Sequence, residues 1–463
     1  MKRPRQHEDR HLDESDVFKV AQYIADASTM FAFLDVMHPL NMLGPLDHLY
    51  QLGLTWNRAE LWPVLTVRRC SDTDTLHLAA ILKFYARVNV ADSSCDLDWV
   101  DHHVSPHADL SWTVLPEAPS SDIALDQAWW ARWASHRITR VDIHCHQSND
   151  DMIQALVAVL PRFTSLTSLS AFACNAQVAA KLIAVAATSR QLKALTFDGA
   201  STVRVTTSLC QHILAWFSAV PVRKFHVSKW RPKCDDVAAA LLQQVHSVMF
   251  NCPSLDSLAF QWSVLHRVVD VPALTFPMRS LTFANTELGS AFVDALVASS
   301  PTSTVARMVS HVQDDQFIEL ERLVEALPAM PSLQSFEMGC GQQTSKTWAR
   351  FFRKLVSCRV TELTVRITKL PRQSTLELAY AIAKNKTIQV VHAFVADAVF
   401  QDVKNLIEIT TGNERPVQMT EIDIGESKLD ASELAALTAL AARRHVTFRF
   451  QRPRHSNRAA SRS

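Results

Sequence analysis

The sequence predicts an α/β fold, a solenoid in which one short strand and one helix alternate and the strands form a curved parallel sheet. Two observations predict it. The pattern apolar-x-x-apolar-x-apolar recurs about every 28 residues from Ile138 to the C-terminus, a period that suits one strand plus one helix. Within each copy apolar residues alternate as in a strand, and helical spacing follows. Because a single unit cannot bury its apolar face alone, neighbouring units must stack into one core.

The region before these repeats has a different pattern. Asp16 and Asp26 are placed to cap amphipathic helices, a third apolar face follows, and Leu61 and Trp62 close the region. We therefore divide the chain into five segments. They are a disordered leader at 1–12, a small helical module at 13–67, an irregular region that caps the solenoid at 68–137, the solenoid at 138–451, and a disordered basic tail at 452–463.

Within the solenoid the repeats differ in clarity. The copy that ends at Phe260 fits the pattern, whereas the copy at Val305, Met308 and Ser310 is weak because serine takes an apolar position. Apolar residues at helical spacing after the strands predict helices between them. These helices are expected at about 178–187, 236–249, 290–298, 317–327, 345–356, 374–383 and 431–443.

The period and the strand pattern of residues 138–451 resemble the leucine-rich-repeat family in its long-unit, ribonuclease-inhibitor-like form. Cys174 stands at the ninth position of its unit, where the family has Asn or Cys, and most other units carry a different residue there. The resemblance implies a protein without enzymatic activity that binds a protein or peptide on the concave face of its sheet.

A small helical module ahead of such repeats resembles an F-box protein. The pattern Val17-Phe18-x-Val20-x-x-x-Ile24 is similar to the first F-box helix, and Leu61-Trp62 is similar to its closing pair. Ser15-Asp16 stands where the family has Leu-Pro. The resemblance implies docking of a Skp-type adaptor of a cullin ubiquitin ligase. The implied adaptor-binding residues are Val17, Phe18, Val20, Ile24, Phe31, Leu34, Leu61 and Trp62. Alternatively, these helices only cap the open end of the solenoid.

Composition narrows the function classes. The 463 residues include 47 Lys+Arg and 46 Asp+Glu, a formal charge of +1, so no global attraction to nucleic acid or membrane follows. Only 8 glycines argue against an enzyme with several glycine-built phosphate turns. Nine cysteines without a C-x-x-C pair indicate a reducing compartment, and we expect a cytoplasmic or nuclear protein. No apolar run approaches the ~18 residues of a membrane span.

Isolated motifs do not add a catalytic site. His7-Glu8-Asp9-Arg10-His11 matches H-E-x-x-H, but it lies in a charged leader without an apolar face. The run from Gly339 to Lys346 lacks phosphate-loop spacing, and we expect it to form the turn between a strand and the next helix. His102-His103 and His144-Cys145-His146 have no second ligand pair at a fixed spacing. We therefore expect no enzyme activity, no cofactor and no metal, and we keep a zinc enzyme built on 95–146 only as a rival.

Alternation along each strand also predicts a binding surface. Side chains at the third, fifth and seventh positions of each unit are expected on the concave face of the sheet. Their mixed charge and occasional aromatic rings suit a protein partner better than a phosphate backbone. The candidate partner-binding residues are Arg140, Asp142, His144, Phe172, Lys224, His226, Arg307, Glu337, Glu362, Arg366, His392, Phe394 and Asp423.

Two functions from different classes follow. The first is an F-box-like substrate-recognition adaptor of a cullin ubiquitin ligase, and the alternative is a free-standing leucine-rich-repeat scaffold or inhibitor without a ligase link. Binding of a Skp-type adaptor separates them.

Overall fold

The computed structural model describes most of the chain. The described residues are 14–68, 72–92, 96–115, 123–145, 150–199, 201–232, 237–265, 274–313, 316–367, 370–395, 398–412, 415–425 and 429–451. The chain divides into two compact units, one formed by residues 1–173 with 189–192 and the other by 174–188 with 193–463. The predicted disordered leader at 1–12 and the basic tail at 452–463 lie outside the described residues.

The first unit begins with a cluster of four helices. Asp26 caps the second of them, since its Oδ1 accepts a hydrogen bond from the Thr29 amide at 2.8 Å. Asn57 caps the fourth in the same way through the Ala59 amide at 3.1 Å. The helices are α1 (Glu14–Ala21), α2 (Ala27–Met37), α3 (Leu46–Thr55) and α4 (Arg58–Leu61).

Strands and helices then alternate through the rest of the first unit. All five strands are parallel, and they neighbour one another in chain order. The elements are β1 (Leu65–Val67), α5 (Asp72–Ile81), β2 (Arg87–Val90), α6 (Leu97–His103), β3 (Asp109–Trp112), α7 (Ile123–Ser135), β4 (Ile138–His144), α8 (Asp150–Val159) and β5 (Ser168–Cys174).

The parallel strands begin earlier than the repeat pattern that starts at Ile138. Leu65 pairs with Val88, and Leu110 pairs with Ile138, so β1 to β3 continue the sheet toward the N-terminus. The steps between Leu65, Val88 and Leu110 are shorter than the later period, and the pairing of β3 with β4 shifts after Leu110. These unequal steps hide β2 and β3, which lie within 68–137, from a fixed-period pattern.

In the second unit strands and helices alternate through most repeats, as predicted, although no helix is described between the strand that ends at Gln261 and the one that begins at Ser280. Its elements are α9 (Ala176–Thr188), β6 (Ala194–Gly199), β7 (Val203–Val205), α10 (Thr207–Ala219), β8 (Lys224–Ser228), β9 (Trp230–Pro232), α11 (Ala239–Asn251), β10 (Ser257–Gln261), β11 (Ser280–Ala284), α12 (Ser290–Ser299), β12 (Arg307–His311), α13 (Phe317–Ala326), β13 (Ser335–Cys340), α14 (Ser345–Leu355), β14 (Glu362–Ile367), α15 (Arg372–Lys384), β15 (Val390–Val395), α16 (Phe400–Thr410), β16 (Glu421–Gly425), α17 (Ala431–Arg443) and β17 (Thr447–Gln451).

The strands of the second unit form one parallel sheet in the order β6, β8 and then β10 to β17, while β7 and β9 form a separate two-stranded pair. The α/β fold of alternating strands and helices predicted from the sequence is thereby confirmed. Among the described residues, no helix is long and apolar enough to cross a membrane.

Two columns of side chains run across this sheet and form the core. Register places Leu258, Leu281 and Met308 side by side on successive strands, and all three are buried. The second column contains Phe283 and then Ser310, the weak copy in the sequence, which is also fully buried. Its hydroxyl has no hydrogen-bond partner in the described structure, so a polar group interrupts an apolar column.

The turn before β15 shows how a polar side chain holds two repeats together. Asn385 is fully buried, and its amide nitrogen donates to the carbonyls of Leu355 at 2.8 Å and Cys358 at 2.9 Å. Its amide oxygen accepts from the backbone N–H groups of Thr387 at 2.8 Å and Ile388 at 2.9 Å. One side chain therefore satisfies backbone groups of two consecutive repeats, which otherwise would be buried without partners.

Candidate functional site

The predicted adaptor-binding residues of the N-terminal module fall into two groups. Val17, Phe31, Leu34 and Leu61 are buried and hold the four helices together. At Gly53 a Cβ atom would lie 2.0 Å from Cε1 of Phe31, so α3 approaches α2 closely only because glycine stands there. These four side chains are therefore core residues of the free module.

The remaining four predicted residues lie nearer the surface. Nε1 of Trp62 donates a 2.7 Å hydrogen bond to the Ile24 carbonyl, and the Trp62 ring contacts Tyr85 edge-on. Phe18 and Ile24 are half-buried, and Val20 is exposed. The Leu-Trp pair thus ties the end of the module back to its beginning, which is a structural role for Trp62.

Exposed apolar side chains are concentrated in the helices of this first unit. Tyr23, with 89% of its surface exposed, directly follows α1. Six of the ten large exposed apolar residues in the described chain lie before residue 77. The six are Val20, Tyr23, Val36, Leu40, Leu54 and Leu76.

On each sheet, strand residues that alternate with the buried columns form a second face, which we call the open face. In the first unit it carries Arg140, whose guanidinium holds Asp142 through two hydrogen bonds of 3.1 and 2.9 Å. The His144 ring stacks on Phe172 with ring centroids 5.0 Å apart. Four of the predicted partner-binding residues are thus paired with each other here.

The open face of the second unit starts with Lys224 and His226 on β8. Nε2 of His226 lies 2.8 Å from the Ser257 hydroxyl. Burial, together with the neighbouring charge of Lys224, lowers the pKa of His226 to about 4. The imidazole is therefore neutral at pH 7 and acts as a hydrogen-bonding group, too weak a base to activate the serine.

Farther along the same face, one carboxylate contacts two arginines and a histidine. Glu337 Oε1 lies 2.7 Å from Arg366 Nε and 3.0 Å from His311 Nε2, and Glu337 Oε2 lies 3.7 Å from Arg307. Burial alone would raise the pKa of Glu337, but hydrogen bonds from His311 and Arg366 and their charges outweigh burial and lower this pKa to about 2. This cluster joins residues of β12, β13 and β14.

Arg366 also stacks on an aromatic ring. Its guanidinium carbon lies 4.0 Å from the centroid of Phe394, a cation–π contact. A Cβ atom at Gly425 would lie 2.1 Å from Cδ1 of Phe394, and one at Gly339 would lie 2.7 Å from Cδ2 of His311. The two glycines thus let both rings lie over the neighbouring strand.

The last predicted cluster joins β14, β15 and β16. Nε2 of His392 lies 3.4 Å from Glu362, and its Nδ1 lies 3.4 Å from Asp423. His392 lies at the centre of this group, and Asp423 is buried. The arrangement offers an imidazole and two carboxylates for hydrogen bonds, and within the described residues no group of three or more His, Cys, Asp or Glu is placed to hold a metal ion.

The other motifs noted in the sequence lie at helix ends or in turns where they are described. His102 and His103 lie at the end of α6, and the run after Gly339 leads into α14, which Thr344 caps through the Thr347 amide. His7 to His11 and His146 lie outside the described residues. The sequence interpretation did not include Ser257, Gly339 and Gly425 among the site residues. For the two glycines the available signal was their place at the seventh position of their repeat units.

Parallel strands that alternate with helices, together with an open polar face, define a leucine-rich-repeat-like fold. No protein-family model matches the chain, and no curated protein matches it. Among solved structures it is similar to that of the yeast Rad7 and Elc1 complex, with a TM-score of 0.41 and 13% sequence identity over 90% of this chain and 90% of that chain. Elc1 is the partner of that yeast protein.

Proposed function

We propose that this chain is a protein-interaction module without enzymatic activity. In this proposal the second unit binds a protein partner on its open face, and the N-terminal helices dock a Skp-type adaptor, so that the partner is presented to a cullin ubiquitin ligase. The open face from β12 to β16 is the observation that carries the proposal.

This face has the composition of a protein-binding surface. Arginine and aromatic residues dominate interface hot spots, and Arg366 with Phe394 forms a preorganised pair of that kind. Most charges on the face are already paired, as Glu337 is with Arg366 and His311. A partner therefore meets ordered donors and acceptors and does not have to pay the entropy of ordering long side chains.

The adaptor half of the proposal rests on the exposed apolar residues of the N-terminal helices. Val17 and Phe31 are core residues, so changing them tests folding more than docking. Exposed Val20 and Tyr23 are better probes, because a charge placed there leaves the core intact.

The test is co-purification with a recombinant Skp-type adaptor. We expect wild-type chain to retain the adaptor and a Val20→Asp/Tyr23→Asp variant to lose at least tenfold in affinity. Ile318→Asp, at an exposed apolar position of α13, is the matched control and should bind as wild type does. Absence of adaptor binding by the wild-type chain would remove the ligase link.

A scaffold or inhibitor without a ligase link is the second candidate. Burial of Val17, Phe31, Leu34 and Leu61 favours it, since a module built around these side chains also serves as a cap for the first strands. In this case the open face still binds its partner, and the adaptor experiment gives no complex.

A further inference from the structure

A site separate from the open face lies on the two-stranded pair of β7 and β9. Register places Arg204 directly beside Arg231, and both side chains are exposed. Adjacent strands lie about 4.8 Å apart, so the backbones of the two arginines are neighbours and both side chains leave the same face of the pair. Like charges at such positions are destabilising by themselves.

Neither arginine has a counterion within the part of the chain that the structure describes. Several other arginines of the second unit are in ion pairs, such as Arg350 with Glu321 and Arg366 with Glu337. The side chains of Arg204 and Arg231 make no ion pair or hydrogen bond to a described residue. Two unpaired guanidinium groups on adjacent strand positions are suited to binding an external anion.

The backbone under these arginines is rigid. Val203, Val205 and Trp230 are buried on the opposite side of the pair, and the Trp230 amide donates to the Ser263 hydroxyl at 3.1 Å. The chain reaches β9 through Lys229, whose φ of 55° lies in the left-handed region. Because larger residues adopt this conformation only when their surroundings impose it, the corner that positions Arg231 is firmly held.

An exposed aromatic residue stands at the same corner of the next repeat. Trp262 has a φ of 52°, and half of its surface is exposed. It directly precedes Ser263, whose hydroxyl is bonded to Trp230. Two arginines and an indole on three neighbouring chain segments suit an anionic group carried on a peptide. The arginines would bind the anion, and the indole ring offers a surface for the peptide side chains next to it.

We propose that Arg204 and Arg231 bind a phosphomonoester group on a phosphorylated protein segment that also packs on Trp262. Guanidinium forks match the oxygens of a phosphate, and a phosphoserine or phosphothreonine group carries close to two negative charges at pH 7. A nucleic acid is the less suited ligand, because it calls for a stripe of positive charge along several phosphates, and this site is a single pair in a chain of net charge +1.

The experiment uses the full chain and fluorescent oriented libraries of phosphoserine and phosphothreonine peptides. The same libraries without phosphate, and a single-stranded RNA oligonucleotide, are measured in parallel. We expect a preference of at least tenfold for phosphorylated peptides, and its loss in Arg204→Gln/Arg231→Gln. Arg359→Gln, at another exposed arginine of the second unit, should retain it.

Several results would overturn the proposal. They are equal binding of both libraries, a phosphopeptide preference unchanged in the double variant, or arginine-dependent binding of RNA alone. Arg204→Lys/Arg231→Lys keeps the charge without the forks and should lose most of the preference, whereas full binding by the lysine variant would refute recognition by paired forks. Circular dichroism of each variant should match wild type, because both side chains are exposed.

Discussion

His246 on α11 predicts a specific pH dependence of stability. Its ring is fully buried, and neither ring nitrogen has a hydrogen-bond partner in the described structure. Burial lowers the pKa of His246 from 6.5 to about 4. Between these two pH values the unfolded chain binds a proton that the folded chain does not, so the free energy of unfolding must fall as the pH drops.

The magnitude follows from the shift. Each pH unit below 6.5 removes about 1.4 kcal/mol, so His246 costs about 2 kcal/mol at pH 5 and about 3 kcal/mol by pH 4. His246→Leu has a similar volume and no ring nitrogens, and we expect it to remove this loss. At pH 7 it should also stabilise the second unit by about 1–2 kcal/mol, because two buried polar atoms without partners disappear.

The assay is urea unfolding of wild type and His246→Leu at pH 7, 6 and 5. His226 also titrates in this range, so the difference between the two proteins isolates the contribution of His246. His107→Leu, at an exposed histidine, is the control and should leave the wild-type profile unchanged. Parallel profiles for wild type and His246→Leu would refute the reasoning, as would a measured pKa near 6.5 for His246 by NMR.

Three further substitutions, one of them with a matched control, test the packing of the second unit. Gly425→Ala should destabilise by about 1–3 kcal/mol in thermal denaturation, because its Cβ would overlap the Phe394 ring, while Gly412→Ala should stay within about 0.5 kcal/mol since its Cβ meets only ordinary contacts. Asn385→Ala should cost about 3–4 kcal/mol in urea unfolding, because backbone groups of two repeats lose their partner, and a loss below 1 kcal/mol would contradict that. Ser310→Ala should raise the melting temperature, since a buried hydroxyl without a partner is removed; a lower melting temperature would indicate an unrecognised partner.

Much of the fold was predictable because strand and helix periods are local properties of the chain. Buried columns such as Leu258, Leu281 and Met308 follow directly from period-2 alternation repeated at a constant interval. The strands β1 to β3 were not predicted as part of the sheet, because their spacing is shorter and a register shift follows Leu110. A search at a fixed period does not detect a repeat unit that is several residues shorter than that period.

The site was predictable by position but not by pairing. Alternation assigned Glu337 and Arg366 to one face, whereas their contact depends on the strand register that brings residues 29 apart in sequence together. In the N-terminal module the sequence did not separate core positions from surface positions, and some residues predicted to bind a partner are core residues. There Phe31 and Leu34 have the apolar character of docking residues, but packing of α2 against its neighbours makes them core, and only the structure separates Val20 and Tyr23 as exposed.

The central claim is that the open face of the second unit binds a protein, and site-specific photo-crosslinking tests it most directly. A benzophenone amino acid replaces Thr282, on the open face of β11, or Tyr380, exposed on α15, in the full chain expressed in cells. We predict that the Thr282 position yields a discrete crosslinked protein, that Arg366→Glu abolishes this product, and that the Tyr380 position does not yield it. The same product from Tyr380, or a Thr282 product that persists in Arg366→Glu, would contradict the claim.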